Sequence, residues 1–289
     1  MIRTSHLFAI SNVIFLLFII VIMSYPFLHM FAVSLSDSVH VMKNEVSFWP
    51  KGFNLHTYEA VFQDSRISRA FVNTIIYTMF GTFISLSVTA MGAYALTRRT
   101  MVFHKTFTLL ILFSMFFTGG MIPTFLVVKA MGLMDTVWAM VLPNAVSVWN
   151  VILMRTFFAG VPKELEESAK IDGLNDLSIF AKIIIPLSKP ALATIGLFYA
   201  VALWNNFYLP LLYLRDASLF PLQVILRNIV LSGEMFSSSG TRMGGDNLMV
   251  VEESLKYATI IVSTVPILIV YPFLQKYFVK GALIGSIKG

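Results

Sequence analysis

Six long runs of apolar residues decide what this chain can fold into. They span approximately Phe8–Val33, Ala70–Leu96, Phe107–Val128, Thr136–Phe158, Ala191–Leu214 and Tyr257–Phe278. About 20 predominantly apolar residues are enough for a helix to cross the hydrocarbon core of a bilayer, where the backbone must satisfy its own hydrogen bonds. The chain therefore reads as an all-α membrane protein with six transmembrane helices. With 57% hydrophobic and 12% charged residues, it leaves no polar segment large enough for a separate aqueous domain. Residues 1–289 read as one transmembrane domain, with a helical core over about 70–280. The first run, Leu7 to about Ala32, is longer than the ~7–15-residue apolar region of a signal peptide, so it reads as an uncleaved first membrane helix.

Basic residues set the expected orientation. Arg3, Arg98, Arg99, Lys105, Arg155, Lys163, Lys170, Lys182, Lys189, Lys276, Lys280 and Lys288 fall on one side, with only five acids between Glu164 and Asp176. The other side carries the remaining nine basic and ten acidic residues. The positive-inside bias then places both termini and the 158–189 loop in the cytoplasm. The basic residues form no patch interleaved with exposed aromatics, which argues against nucleic acid as a partner.

Catalytic chemistry finds little support. The five histidines, His6, His29, His40, His56 and His104, are scattered, with no i,i+4 pair and no HExxH. Cysteine is absent, so thiol chemistry and Cys-based metal sites are excluded. No G-x-x-x-x-G-K-[ST] phosphate loop occurs, so ATP is not bound by that route. Arg155 and Lys276 are counted with the flanking loops, and the apolar cores then hold no Asp, Glu, Lys or Arg. Ion-coupled carriers keep such groups at membrane depth despite their cost. Energy for active movement would then come from a partner. No metal site and no catalytic residue is expected.

Neutral polar residues do enter the spans. Thr82, Ser85, Thr89 and Gly92 recur on one helical face, suited to close helix packing or to lining a path. Trp204-Asn205-Asn206-Phe207-Tyr208 places two consecutive amides between aromatics inside the fifth span. Such amides are costly unless they meet a polar partner or a wet cavity. Amides and aromatic faces also suit hydroxyl-rich solutes. Trp204, Asn205, Asn206 and Tyr208 are candidates for a substrate path. Asn73 and Asn150 are further candidates that could instead cap or bridge helices.

The most charged continuous segment runs from Val161 to Gly173. Pro162 suits a first helical turn, three glutamates follow where the helix dipole favours them, and Gly173 can close the helix in the left-handed conformation. This predicts a helix of about 11 residues, roughly 16 Å long. Asn175 or Asp176 can cap a second helix leading into Pro186. On the opposite side, Leu55 to Gln63 reads as a short helix, and the Gly- and Ser-rich Ser232–Gly245 as a flexible loop.

Glu167-Ser168-Ala169, Gly173 six residues after the glutamate, and Ile183-x-Ile185-Pro186 resemble the loop E-A-A-x3-G-x9-I-x-L-P shared by membrane subunits of bacterial ABC importers. Ser168 replaces the middle Ala and Ile185 the Leu. Phe48 to Tyr58, Pro186 to Leu192 and Trp204-Asn205-Asn206 resemble carbohydrate importer permeases. Thr118 to Pro123 and Gln275 to Gly281 are similar to the branch that handles alginate and other complex oligosaccharides. The resemblance covers essentially the whole chain and implies a type I importer permease fold. It also implies a second homologous permease, two cytoplasmic ATPase subunits that bind ATP and Mg, and an extracytoplasmic solute-binding protein. Glu164, Glu167, Ala169, Asp172, Gly173 and Pro186 would couple to the ATPase, with Leu165 and Ala169 on the docking side and the glutamates meeting basic partners. Ser232, Gly233, Ser238 and Gly240 would meet the binding protein, and the tail after Lys280 would extend between the ATPase subunits. The rival expectation is a self-sufficient secondary carrier or channel for a neutral polar solute.

Overall fold

The computed structural model describes residues 2–98, 100–232 and 252–286, with side chains over 8–98, 100–231 and 253–272. No strand occurs among the described residues. The first half of the chain runs α1 (Ile2–Ser34), α2 (Ser38–Met42), α3 (His56–Gln63), α4 (Ser65–Ala95), α5 (His104–Phe116), α6 (Met121–Ala130), α7 (Val137–Val141) and α8 (Val148–Ala159). The second half runs α9 (Lys163–Ile171), α10 (Asp176–Ile179), α11 (Ile185–Leu187), α12 (Lys189–Trp204), α13 (Tyr208–Tyr213), α14 (Leu222–Ser232) and α15 (Glu252–Ser286). The expected helix at Leu55–Gln63 is α3, and the helix that carries the sixth run, α15, continues to Ser286, so the first residues after Lys280 are helical.

Three stretches are apolar and helical over a membrane-crossing length, Phe8–Ser34, Ser65–Ala95 and Glu253–Pro272. Three further candidates are bent pairs. His104–Phe116 and Met121–Ala130 meet at 114°, Val137–Asn144 and Val148–Ala159 at 62°, and Asp176–Leu187 and Lys189–Trp204 at 84°. The third and fourth runs are therefore not the continuous helices that hydropathy predicts, while the 84° bend falls at Ser188, just ahead of the fifth run. Gly120 adopts φ +82° and ψ 177° between α5 and α6, a conformation essentially restricted to glycine. Pro143 sits in a 3-10 turn after α7, and Ser147 restarts the chain as the N-cap of α8. The fifth run stops at Trp204 and resumes at Tyr208.

The chain divides into two compact units, residues 1–68 with 225–265, and residues 69–224 with 266–289. In the first, the segment after α1 folds back on the end of that helix. Ala32, Val33, Val41 and Val46 form its core, with Tyr257 packed against them. Ser36 Oγ donates to Ala32 O and accepts the Lys51 amide, and Asp37 N donates to Lys51 O at 3.0 Å. Gly52, at φ +65°, lets the chain pass Asp37, whose Cβ would lie 2.8 Å from any Cβ placed there. His40 bonds Glu45 at 2.7 Å and holds that carboxyl below its ordinary pKa.

The second unit is built around α4. Ala90, Ala93 and Tyr94 of α4 share a buried core with Met154 and Phe158 of α8, Ala169 of α9, Ile179 of α10, and Ile195 and Tyr199 of α12. The expected polar stripe on α4 faces this packing: Ser85 and Thr89 are buried, and Thr89 Oγ1 lies 2.7 Å from the Tyr199 hydroxyl. Tyr199 also accepts the Ser147 amide at 3.0 Å, so one hydroxyl ties α4, α12 and the start of α8 together. Gly81 allows α4 to approach closely, since a Cβ there would lie 2.7 Å from Leu203 Cδ1. A second core gathers Tyr77, Val128, Met140, Leu209 and Tyr213.

Candidate functional site

The charged segment forms a short helix as expected, with Pro162 as its N-cap residue and nine residues from Lys163 to Ile171. Gly173 adopts φ +80°, its amide donates to Lys170 O, and Leu174 N donates to Ala169 O, each at 3.0 Å. That pair of bonds is the Schellman ending, in which a left-handed glycine lets the last carbonyls find donors. Leu174 packs against the core beside Ala169, which fixes the angle at which the chain leaves the helix. Asn175 then caps α10, its Oδ1 accepting the Ser178 amide at 2.8 Å. A π turn over Phe180–Ile184 and Pro186 in α11 lead to the bend before α12.

α9 has two unlike faces. Glu166 and Ala169 point into the chain itself: Ala169 is buried, and Glu166 accepts a hydrogen bond from Arg98. Glu164, Glu167, Ser168 and Ile171 are exposed, as are Asp172, Gly173 and Pro186. Ile171 is 87% exposed and Leu177, just beyond the glycine, 72%. Leu165 and Ala169 were expected to share a docking side; Leu165 stays exposed, whereas Ala169 belongs to the core. Glu166 is the residue that sequence reasoning passed over. Its place three residues before Ala169 puts both on one face, and Arg98 had been counted only as an orienting charge.

Arg98 follows the end of α4 and binds two acidic neighbours. It donates to Glu166 and to the Tyr94 hydroxyl, and its Nη2 lies 3.8 Å from Asp176 Oδ1. Burial alone would weaken its charge; hydrogen bonding to Tyr94 and Glu166 outweighs that and holds the proton more firmly than usual.

Of the path candidates, Asn205, Asn206 and Tyr208 surround the break between α12 and α13. Asn205 Nδ2 donates to Val201 O at 3.0 Å, and Asn206 Oδ1 accepts the Leu209 amide at 3.1 Å. Asn206 thus meets a backbone donor freed by the break, whereas Asn205 adds a second bond to Val201 O, which already accepts the Asn205 amide. Asn205 and Tyr208 remain exposed, and the Tyr208 hydroxyl bonds Met121 Sδ at the start of α6. The α12–α13 break therefore meets the break between α5 and α6. Trp204 is buried, edge-on to Phe71 with ring centroids 6.0 Å apart. Asn73 bridges elements, donating to Ser218 O at 2.8 Å and Phe220 O at 3.2 Å. Asn150 is buried in α8. Ser232 ends α14, whereas Gly233, Ser238 and Gly240 lie outside the described residues. No group of three or more His, Asp or Glu able to hold a metal occurs among the described residues.

The hydrogen-bond geometry separates two roles for the paired amides. Asn206→Ala is expected to lower the thermal stability of the detergent-solubilised protein, since loss of its bond to the Leu209 amide costs about 1 kcal/mol. Asn206→Asp, which keeps the acceptor, should restore most of it. Asn205→Ala should leave stability near wild type and raise the KM for uptake.

Helices of membrane length, with paired breaks and a charged helix bare on one face, define an integral-membrane permease. The chain belongs to the family of binding-protein-dependent transport system inner membrane components, whose model matches residues 100–284. It is 44% identical to the polygalacturonan/rhamnogalacturonan transport system permease protein YtcP of Bacillus subtilis over 275 residues, covering 95% of this chain and 96% of that one. It is 29% identical to the arabinooligosaccharides transport system permease protein AraQ of Halalkalibacterium halodurans, covering 99% of each. Among solved structures it is similar to a chain of a bacterial ABC transporter involved in the import of the acidic polysaccharide alginate. There the TM-score is 0.90 at 35% identity, covering 96% of this chain and 98% of that one. The chain is a permease subunit of an ABC importer, with the type I permease fold. The rival of a self-sufficient carrier gives way to this assignment.

Proposed function

We propose that this subunit forms half of the translocation path of an ATP-driven importer for oligosaccharides or polysaccharide fragments. Residues 1–289 act as one transmembrane domain with six spans, three of them broken, and both termini in the cytoplasm. The core over about 70–280 pairs with a second homologous permease. Two cytoplasmic ATPase subunits bind ATP and Mg and engage the 158–189 loop through residues 162–173. An extracytoplasmic binding protein delivers the solute, meeting the segment that contains Ser232, Gly233, Ser238 and Gly240.

The observation that carries this reading is the division of α9. Its inner face is held by the chain's own core and by Arg98, while Glu164, Glu167 and the apolar Ile171 are left bare beside Leu177. Carboxylates flanking bare apolar side chains on a short helix are what a basic-rimmed apolar groove binds. Physically, a helix seated in such a groove moves with it, and the ATPase then needs no contact with the solute. The neutral Asn205 and Tyr208 at the meeting breaks suit a solute rich in hydroxyls, offering hydrogen bonds and an aromatic face. Relatives named for polygalacturonan/rhamnogalacturonan transport and for import of the acidic polysaccharide alginate point to the solute class.

Uptake of labelled tri-galacturonate into proteoliposomes tests the assignment. The importer assembled on this chain, with its binding protein outside and ATP inside, should accumulate the sugar, and omission of ATP should abolish accumulation. Accumulation by the purified chain alone in ATP-free vesicles would sink the proposal.

A further inference from the structure

Polar side chains grip α4 at both ends. At its C-terminal end, Arg98 donates to Glu166 of α9, lies with Cζ 4.5 Å from the Tyr94 ring centroid, and faces Asp176 of α10. The Tyr94 hydroxyl donates to Asp176 O at 3.3 Å. Near its other end three side chains seize one turn. Asn73 donates to Ser218 O and Phe220 O, the Tyr77 hydroxyl donates to Leu219 O at 2.9 Å, and Thr74 Oγ1 accepts the Leu222 amide at 2.8 Å. The two grips, Asn73–Tyr77 and Tyr94–Arg98, are centred about 21 residues apart, roughly 32 Å along a helix. The 218–222 turn leads directly into α14, the helix that precedes the binding-protein segment.

We propose that α4 is the transmission rod of this subunit. Arg98, clasping Glu166, Tyr94 and Asp176, fixes the rod to the ATPase-facing helix, and Asn73, Thr74 and Tyr77 fix it to the outer turn. Displacement of α9 then reaches the 218–222 turn as movement of one body. This rests on the importer reading above. Arg98 is a positioning residue: it acts through α9 and touches no solute. Its planar fork can serve Glu166 and the tyrosine hydroxyl together while stacking on the ring, which a lysine cannot reproduce. The pair is sheltered, with side chains 23% and 15% exposed, so bulk salt screens it less than a surface bridge.

The chain has no cysteine, so introduced pairs can be spin-labelled without background. Labels at Ala95→Cys and Lys163→Cys report the separation of α4 from α9 in the full assembled importer. With Arg98 intact, one narrow distance distribution is expected, unchanged between the nucleotide-free and ATP–vanadate states. Arg98→Ala should broaden it and make it respond to nucleotide, while tri-galacturonate uptake falls about fivefold or more. Arg98→Lys should lie between, and it carries the test should Arg98→Ala fail to assemble. A nucleotide-dependent distance with Arg98 intact, or Arg98 variants with the intact distribution and uptake, would overturn the rod. Absence of ATP-driven uptake with Arg98 intact sinks the importer reading instead, and the distances still judge the clasp.

Discussion

Gly173→Val is expected to abolish solute uptake and solute-stimulated ATP hydrolysis while leaving solute capture by the external binding protein unchanged. The residue sits at φ +80°, where a side chain strains the backbone by about 1–2 kcal/mol, more for a β-branched one. No neighbour lies within 4 Å of a Cβ built there, so the effect is torsional and not steric. The strain acts on the bonds from Gly173 N to Lys170 O and from Leu174 N to Ala169 O, which set the exit from α9. Asn tolerates the left-handed region, so Gly173→Asn should keep part of the activity that Val loses. Glu167→Ala approaches the same site from the other side. Glu167 is exposed and in no ion pair among the described residues, so its loss should not destabilise the fold. At an interface, truncating one member of a buried charge pair costs about 2–5 kcal/mol, enough for well over a tenfold fall in uptake. Uptake assays with purified assemblies check both, and normal transport by both variants would refute docking through α9.

The ending of α9 was legible because a glycine six residues after a glutamate has one good local use, and short-range chemistry decides it. Asn175 as the next cap was legible for the same reason. The inward turn of Glu166 was not, because its partner Arg98 stands 68 positions earlier in the chain and only the packing of α4 against α9 brings them together. Hydropathy located every apolar run, yet it averages over windows and cannot see a change of direction. The breaks at Gly120, at Pro143 and at Asn205–Phe207 leave that average almost untouched. Their signals were individually present: paired glycines, a proline, and two amides that could not remain helical without partners. What the composition could not say is that Asn206 finds its partner in the Leu209 amide, which the break itself sets free, while Asn205 turns back onto Val201 O.

Gly120 offers the sharpest test of whether the breaks matter. At φ +82° and ψ 177° it occupies a region closed to every other residue except at a strain of about 1–3 kcal/mol. A Cβ would again meet nothing within 4 Å, so Gly120→Val adds torsional strain without a clash. The chain can relieve it by straightening α5 into α6, because both flanks are apolar helices and a continuous helix satisfies the freed backbone groups. That would undo the 114° turn and carry Met121 away from Tyr208, separating the two breaks that meet at the proposed path. A bias of 1–3 kcal/mol moves such an equilibrium roughly 5- to 150-fold. Gly120→Val should therefore insert in the membrane and assemble, yet lose uptake by at least about fivefold. Gly119 provides the internal control. It has no positive φ, and its nearest prospective contact, Pro123 Cβ, is 3.8 Å away. Gly119→Ala should transport much as the unsubstituted protein does. Equal uptake by Gly120→Val would mean that the break is a detail of packing, and that the path runs elsewhere.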